Sequence, residues 1–364
     1  MRTLSVNLGN RSYLVLVGRG LIDGIGEAIG QVLGRGKAVV ITVPPVERLY
    51  LERVRHSLVD RGVDPIIAVV PDGEEAKTVA AYTGVVGRML EGGAGRDALV
   101  VSLGGGCVGD LSGFVASTYM RGVGLVHVPT TLLAQVDSSI GGKTALNHPN
   151  AKNLIGTFYQ PKLVVSDTSV LRTLPPKEVK CGLSEVVKYG TILDRGLFEF
   201  LESSAAGILD LQDGEVETVV CRSVEIKSKV VAEDEGDHGT RMLLNFGHTV
   251  GHAIEAASGY RGYSHGEAVA IGMVAEGLIA MEVGIFSEGW LERLRGLLLR
   301  FGLPTKAEGL SVRDVIGIMR ADKKVEGGEM RFALPGPIGS GEVIKVNDRR
   351  LVERALRGVL EDQQ

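Results

Sequence analysis

The first part of the chain reads as short apolar runs alternating with segments of helical spacing. Residue 6 and residues 13–17 carry strand-like patterns, and residues 21–33 place their apolar positions three and four apart. Residues 38–43 form a short apolar run interrupted only by Thr42, the kind a strand buried on both faces requires. Residues 44–60 have helical spacing, with prolines in the first turn where a missing N–H costs little. A strand over 66–70 precedes the loop PDGEEAKT and a helix to about Leu90, and 98–103, 125–128 and 163–165 complete the strand series. Such alternation predicts a parallel sheet covered on both faces, with ligands at its strand ends.

After Asp167 the pattern changes. Pro175 and Pro176 punctuate the chain, and from Glu178 the periodicity is almost wholly helical, with helices expected at about 178–190, 195–203, 215–233, 241–257, 266–284, 289–301 and 311–320. Two late extended runs, 331–334 and 342–345, flank a turn, PGPIGSG. The expected architecture is therefore an α/β N-terminal nucleotide-binding domain with a parallel-type, Rossmann-like sheet (1–170), then a mainly α-helical C-terminal domain (171–364).

Composition narrows the function. A length of 364 residues suffices for two or three domains and an ample core, and 44% hydrophobic with 23% charged residues is an ordinary soluble profile. A net charge of -4 argues against a nucleic-acid partner. Cys107, Cys181 and Cys221 show no CxxC spacing, so neither a disulfide framework nor a cysteine zinc site is indicated. The N-terminus has no signal-peptide pattern and no apolar run approaches the ~18 residues of a membrane span, so a cytoplasmic enzyme is expected. The 51 glycines are about twice the usual ~7% and are spread through periodic segments, which points to close backbone approach rather than disorder.

The candidate chemistry concentrates in LNFGHTVGHAIEAASGYRGYSHGEA, which holds three of the seven histidines. His248 and His252 stand four apart and share a helix face, a spacing that suits two imidazoles on one metal ion. His265, between Ser264 and Gly266, reads as a third nitrogen delivered from the start of the next helix. Glu185 and Lys188, three apart in CGLSEVVKYG, fit a surface ion pair, but apolar neighbours also allow Glu185 to be the oxygen ligand of a two-His, one-carboxylate site. Lys227, Arg241, Asn245, Lys323 and Lys324 add cations and donors, whereas Lys229 reads as solvated; Arg241 and Asn245 are expected to continue the histidine helix. In the first half, Gly104, Gly106 and Gly109 satisfy G-x-G-x-x-G after a strand. The motif alone is weak, since it follows a late strand and lacks the acidic partner expected about 20 residues on. With Asp72, Glu74, Lys77, Thr130, Thr131, Asp137 and Lys143 at other strand ends, it suits a dinucleotide.

GGGCVGDLSGFVAS, RGVGLVHVPTTLLAQVDSSIGGKTALN, AKNLIGTFYQP, GLSEVVKYG, LLNFGHTVGHAIE, SHGEAVAIGM and DKK together resemble the 3-dehydroquinate synthase family, over about residues 70–335. The resemblance implies an enzyme of the shikimate pathway, leading to chorismate and the aromatic amino acids, that uses NAD and one divalent ion, zinc or cobalt. Its reaction takes 3-deoxy-D-arabino-heptulosonate 7-phosphate to 3-dehydroquinate and phosphate by transient oxidation, β-elimination, re-reduction and aldol closure. It implies Glu185, His248 and His265 as metal ligands and moves His252 to the substrate side. With His252, the substrate residues would be Lys143, Asn153, Lys188, Lys227, Arg241, Asn245 and one or both of Lys323 and Lys324. Arg121 resembles an arginine that reaches the neighbouring subunit's phosphate, implying a homodimer. For NAD the matching positions are Asp72, Gly73, Glu74, Glu75, Lys77, Gly105, Gly106, Gly109, Asp110, Thr130, Thr131, Asp137, Lys143, Lys152, Val170, Leu171, Arg172 and Thr173. The family often carries phenylalanine at position 170, so the valine there bears on a stacking contact with the cofactor, not on the binding mode. Rival readings are a metal-dependent NAD alcohol or polyol dehydrogenase, a related sugar-phosphate cyclase, and a non-catalytic metal or nucleotide sensor; the cluster of cationic residues favours an anionic substrate.

Overall fold

In the computed structural model, which describes residues 1–30, 32, 36–149, 151–323 and 330–361, the chain forms two compact units. The first comprises Met1–Pro175 and Val216–Gly236, the second Pro176–Glu215 and Asp237–Gln364.

The first unit begins with β1 (Arg2–Val6), β2 (Tyr13–Gly18), α1 (Ile25–Gly30), β3 (Ala38–Thr42), α2 (Pro44–Val46), α3 (Glu52–Val59), β4 (Ile66–Val69) and α4 (Val79–Glu91). It continues with β5 (Leu99–Gly104), α5 (Gly106–Thr118), β6 (Gly124–Pro129), β7 (Lys143–His148), β8 (Ala151–Phe158) and β9 (Leu163–Asp167). Seven strands form one sheet in the order β1-β2-β9-β6-β5-β3-β4, parallel apart from the antiparallel β1. Strands β3 and β5 bury every residue. Their alternation divides them between two cores: Val39, Ile41 and Val100 pack with Val85 and Met89 of α4 and with Leu111 and Val115 of α5. Val40, Leu99 and Val101 pack on the opposite face with Ile25, Ile29, Val54 and Leu58 of α1 and α3. That two-sided burial is why these strands read as nearly continuous apolar runs, with Thr42 and Ser102 as their polar members. The predicted Rossmann-like parallel sheet is thus observed.

The hairpin of β7 and β8 is not foreseen by the apolar pattern. It pairs Lys143 with Phe158 through Leu146 with Ile155, and none of the eight residues of β8 is fully buried. A strand without a buried face leaves no period-2 signal to read.

The second unit holds α6 (Pro176–Ile192) and α7 (Arg195–Leu209), after which α8 (Asp213–Glu233) leads the chain back into the first unit. Then follow α9 (His248–Ala257), α10 (His265–Val283), α11 (Glu288–Arg300), β10 (Ala307–Glu308), α12 (Val312–Lys323), β11 (Arg331–Pro335), β12 (Gly341–Lys345), α13 (Arg349–Arg357) and β13 (Leu360–Glu361). Strands β11 and β12 form the expected late hairpin. The helix expected over 241–257 is two pieces: a 3-10 turn, Thr240–Asn245, and α9, separated by Gly247 at φ 79°. A Cβ on Gly247 would lie 2.8 Å from the Val269 carbonyl oxygen, so the break is where the backbone meets α10. Arg241 and Asn245 therefore do not continue the face of His248.

Candidate functional site

Three helices of the second unit meet through contacts that only glycine permits. A Cβ on Gly272 of α10 would sit 2.0 Å from the Gly247 carbonyl oxygen, and one on Gly251 of α9 would sit 3.0 Å from that of Ala268. On Gly266, a Cβ would sit 2.5 Å from Cα of Cys181 in α6. With α6, α9 and α10 this close, Glu185, His248 and His265 bring one donor atom each to within 4.8 Å of one another. The start of α10 is fixed by a capping box: Ser264 N donates to Glu267 Oε2 at 2.8 Å, which sets His265 as the first helical residue. The start of α9 is held by buried Glu276 of α10, whose carboxylate accepts from the backbone N–H of Gly247 at 2.7 Å and of Val250 at 3.2 Å.

The carboxylate of Glu185 is 1% exposed, and neither oxygen accepts a hydrogen bond of good geometry. Its compensation is ionic. Lys188 Nζ lies against Oε2, and Nε2 of both His248 and His265 is 3.5 Å from Oε1. Burial alone would raise the Glu185 pKa, but Lys188, then His248 and His265, hold it well below the usual carboxylate value. Burial pushes His248 down to about 3. For His265 the same burial is outweighed by Glu185 and Glu255, and its pKa is pushed up to about 10. His248 Nδ1 is 3.1 Å from the Phe246 carbonyl and His265 Nδ1 is 3.2 Å from Glu255 Oε2, so both rings turn Nε2 toward the buried carboxylate. A hard oxygen and two imidazole nitrogens, converging and otherwise under-bonded, fit a divalent ion with mixed N/O ligation.

Beside this cluster a cavity of about 250 Å³ is lined by Asn245, His248, His252, Asp237, Arg331 and Phe332. His252 is exposed, with its ring centroid 5.3 Å from that of His248. Arg241 is buried at 3% exposure. Of the two terminal lysines, Lys323 closes α12 with its side chain outside the described residues, and Lys324 lies outside them altogether.

In the first unit, the cofactor candidates follow parallel strands and so share the carboxyl edge of one sheet: Asp72, Gly73, Glu74, Glu75 and Lys77 after β4, Gly105, Gly106, Gly109 and Asp110 after β5, Thr130 and Thr131 after β6, Val170 to Thr173 after β9. The strand order reverses between β3 and β5, which puts the glycine-rich turn at the switch point where open sheets bind ligands. A Cβ on Gly104 would meet Val108 at 2.6 Å, and on Gly106 Ser138 Oγ at 3.0 Å, so the strand-to-helix turn needs small residues. The first N–H groups of α5 lack helical acceptors and suit an anion. Lys77 Nζ bonds Asp110 at 2.7 Å and contacts Asn153 Oδ1. Burial would lower the Lys77 pKa, but Asp110 and Glu74 raise it and keep the ammonium charged. Lys227, on α8, donates to the Asp137 carbonyl at 2.8 Å and to its Oδ1 at 2.6 Å. Val170 and Leu171 are buried, and the Val170 carbonyl accepts from Tyr50 Oη at 3.1 Å. Lys143, Lys152 and Asn153 are not fully buried and lie on the β7–β8 hairpin, Asn153 at φ 56°; Arg121, at φ 70°, is exposed in the turn beyond α5.

Several residues with a part in this arrangement lie outside the set that the sequence motifs point to. Glu255 follows His252 by three and His248 by seven, a spacing that put it on the histidine face all along. Glu276 was legible as a lone carboxylate in the apolar stretch GMVAEGLIAM, and Ser264 with Glu267 as S-x-x-E. Arg331 carries no local signal.

A parallel nucleotide-type sheet with a carboxylate–imidazole cluster on packed helices defines a class, NAD-and-metal-type α/β-plus-helical enzymes, and the comparisons narrow it. Residues 67–181 match the family model for the 3-dehydroquinate synthase N-terminal domain, and residues 182–325 that for the 3-dehydroquinate synthase C-terminal domain. A 3-dehydroquinate synthase of Caldanaerobacter subterraneus subsp. tengcongensis is 44% identical over 97% of this chain and 99% of its own length. Among solved structures, 2-epi-5-epi-valiolone synthase from Streptomyces hygroscopicus subsp. jinggangensis, with NAD+ and Zn2+ bound, is 28% identical at a TM-score of 0.88, covering 98% of this chain and 99% of its own. A 2-deoxy-scyllo-inosose synthase complexed with carbaglucose-6-phosphate, NAD+ and Co2+ is 27% identical at the same TM-score, covering 99% and 100%. The chain belongs to the 3-dehydroquinate synthase family, whose members are phosphate-eliminating cyclases.

Proposed function

We propose that the chain converts 3-deoxy-D-arabino-heptulosonate 7-phosphate to 3-dehydroquinate and phosphate with NAD and one zinc or cobalt ion. The observation that carries the reading is the convergence of Glu185, His248 and His265, a buried carboxylate and two imidazoles whose Nε2 atoms face it. When bound, a divalent ion would supply Lewis-acid polarisation of the substrate oxygens and NAD a reversible hydride acceptor. The residues of the chain bind and orient. The substrate residues that the family resemblance implies, Lys143, Asn153, Lys188, Lys227, Arg241, Asn245 and His252, are cations and donors suited to a substrate with a carboxylate at one end and a phosphate at the other. Holding both anions keeps one geometry through oxidation, elimination, re-reduction and ring closure. The glycine turn of Gly105, Gly106 and Gly109, with Asp72 to Lys77, Asp110, Thr130, Thr131, Asp137, Lys152 and Val170 to Thr173, would hold the dinucleotide, as the NAD+ in two structurally similar cyclases supports. The reading includes a homodimer to which Arg121 contributes, checked by sedimentation equilibrium, and a cytoplasmic setting that the three free thiols suit.

The deciding experiment measures phosphate release from the heptulosonate phosphate, with and without chelator, while NADH absorbance is followed. Chelator-sensitive phosphate release without net NADH is expected. NADH accumulating from polyols, with no phosphate released, would move the reading to a dehydrogenase, and tight ligand binding without turnover would make it a sensor.

A further inference from the structure

Among the described residues of the second unit, two donor trios satisfy the distance requirement for a metal ion: Glu185, His248 and His265, and also His252, Glu255 and His265. They share the His265 ring. Its Nδ1 is 3.2 Å from Glu255 Oε2, and its Nε2 is 3.5 Å from Glu185 Oε1. We infer that Glu255 is a positioning residue, not a ligand: its carboxylate fixes His265 in the Nδ1–H form that presents Nε2 to the Glu185 side. The inference rests on the proposed metal-dependent function.

Three observations choose between the trios. The Glu185 carboxylate is 1% exposed and lacks directional hydrogen bonds, whereas Glu255, at 12%, already accepts from an imidazole. Using the second trio through Nδ1 would give up that bond and place the ion on the Glu255 side of the ring, away from the more deeply buried Glu185 carboxylate. His248 shows the same arrangement as His265, since its Nδ1 meets the Phe246 carbonyl and its Nε2 lies 3.5 Å from the same Glu185 oxygen. A carboxylate that accepts the second N–H of a ligating histidine fixes the tautomer and ring plane and raises the basicity of the other nitrogen. Because Glu255 sits on α9 and His265 on α10, the contact also ties together the two helices that carry the imidazoles.

The test titrates metal-stripped, full-length protein with Co2+, reading affinity by calorimetry and chelator competition and geometry by the visible Co2+ spectrum. Glu255→Ala should weaken Co2+ binding by about 10- to 100-fold and alter the spectrum. Glu255→Gln keeps an oxygen acceptor for the Nδ1 proton and should recover most of the affinity. His252→Ala should leave affinity within about twofold, because His252 belongs only to the rejected trio. Should the alanine variant fail to fold, Glu255→Leu, closer in volume, takes its place. Wild-type affinity in the alanine or leucine variant, or a glutamine variant no better than either, would overturn the positioning role. Loss of Co2+ binding in His252→Ala with retention in Glu185→Ala would establish the second trio instead. A wild-type protein that takes up no Co2+ is a separate result, sinking the functional reading and this inference with it.

Discussion

Glu185 and Lys188 are buried to 1% and 2% exposure and stand against each other on one turn of α6. Two buried opposite charges repay their desolvation only while both are present. Glu185→Ala should therefore lose about 3–5 kcal/mol of unfolding free energy in urea, besides losing metal binding, because it strands the ammonium. Adding Lys188→Met to it should restore most of that stability without restoring the metal; no recovery in the double variant would count against the pair. His127 of β6 is a different buried group. It packs beneath the first turn of α5, with a Cβ on Gly109 lying 3.6 Å from its Cε1, and burial pushes its pKa down to about 4. Above the ordinary 6.5, folded and unfolded chains both carry it neutral. As the pH falls from 6.5 to 4, the unfolded chain takes up a proton that the folded chain refuses, so stability falls by about 3 kcal/mol over that window. His127→Gln cannot titrate and should flatten the fall in thermal midpoint; parallel profiles would dismiss the effect. The Glu185–Lys188 spacing was readable in the sequence, but whether it meant a surface pair or a ligand was not. Both readings use the same i, i+3 geometry, and burial alone tells them apart.

At the scale of elements, glycine decides where the helices can meet. Gly272→Ala would force a methyl onto the Gly247 carbonyl oxygen and push α9 away from α10. The expected cost is about 2–3 kcal/mol, with a measurable fall in metal affinity as His248 and His265 separate. Gly289→Ala on α11, where a Cβ meets nothing within 4 Å, is the control and should be neutral or slightly stabilising in the same denaturant titration. An unperturbed Gly272→Ala protein would show that the helices adjust freely. Strong elements were legible: the two-sided runs of β3 and β5 and the helical spacing of α6 to α8 appear in the sequence as pattern. The β7–β8 hairpin was not, because β8 buries none of its residues fully and so leaves no alternating pattern. Nor was the break at Gly247, since glycine within a helical pattern is ambiguous until a close neighbour is known.

For the molecule as a whole, the chain order and the spatial order differ. From Val216, α8 returns to the first unit, where Lys227 bonds Asp137 and Glu235 bonds Arg11 at 2.7 Å and Gln160 at 2.9 Å. A linear boundary near residue 170 has no means of expressing that return. A fragment of residues 1–175 should accordingly melt below the same fragment joined by a flexible linker to residues 216–236, as followed by circular dichroism; equal melting would show that α8 adds nothing. By itself the sequence determined the parallel sheet, the helical second half, the family and the residue types of the metal set, because periodicity and long motifs are properties of the chain alone. The tertiary structure decided which oxygen faces which nitrogen. Glu185 and His265 stand 80 positions apart, and Glu255 reaches His265 from another helix, so their relation arises only when glycine contacts bring α6, α9 and α10 together.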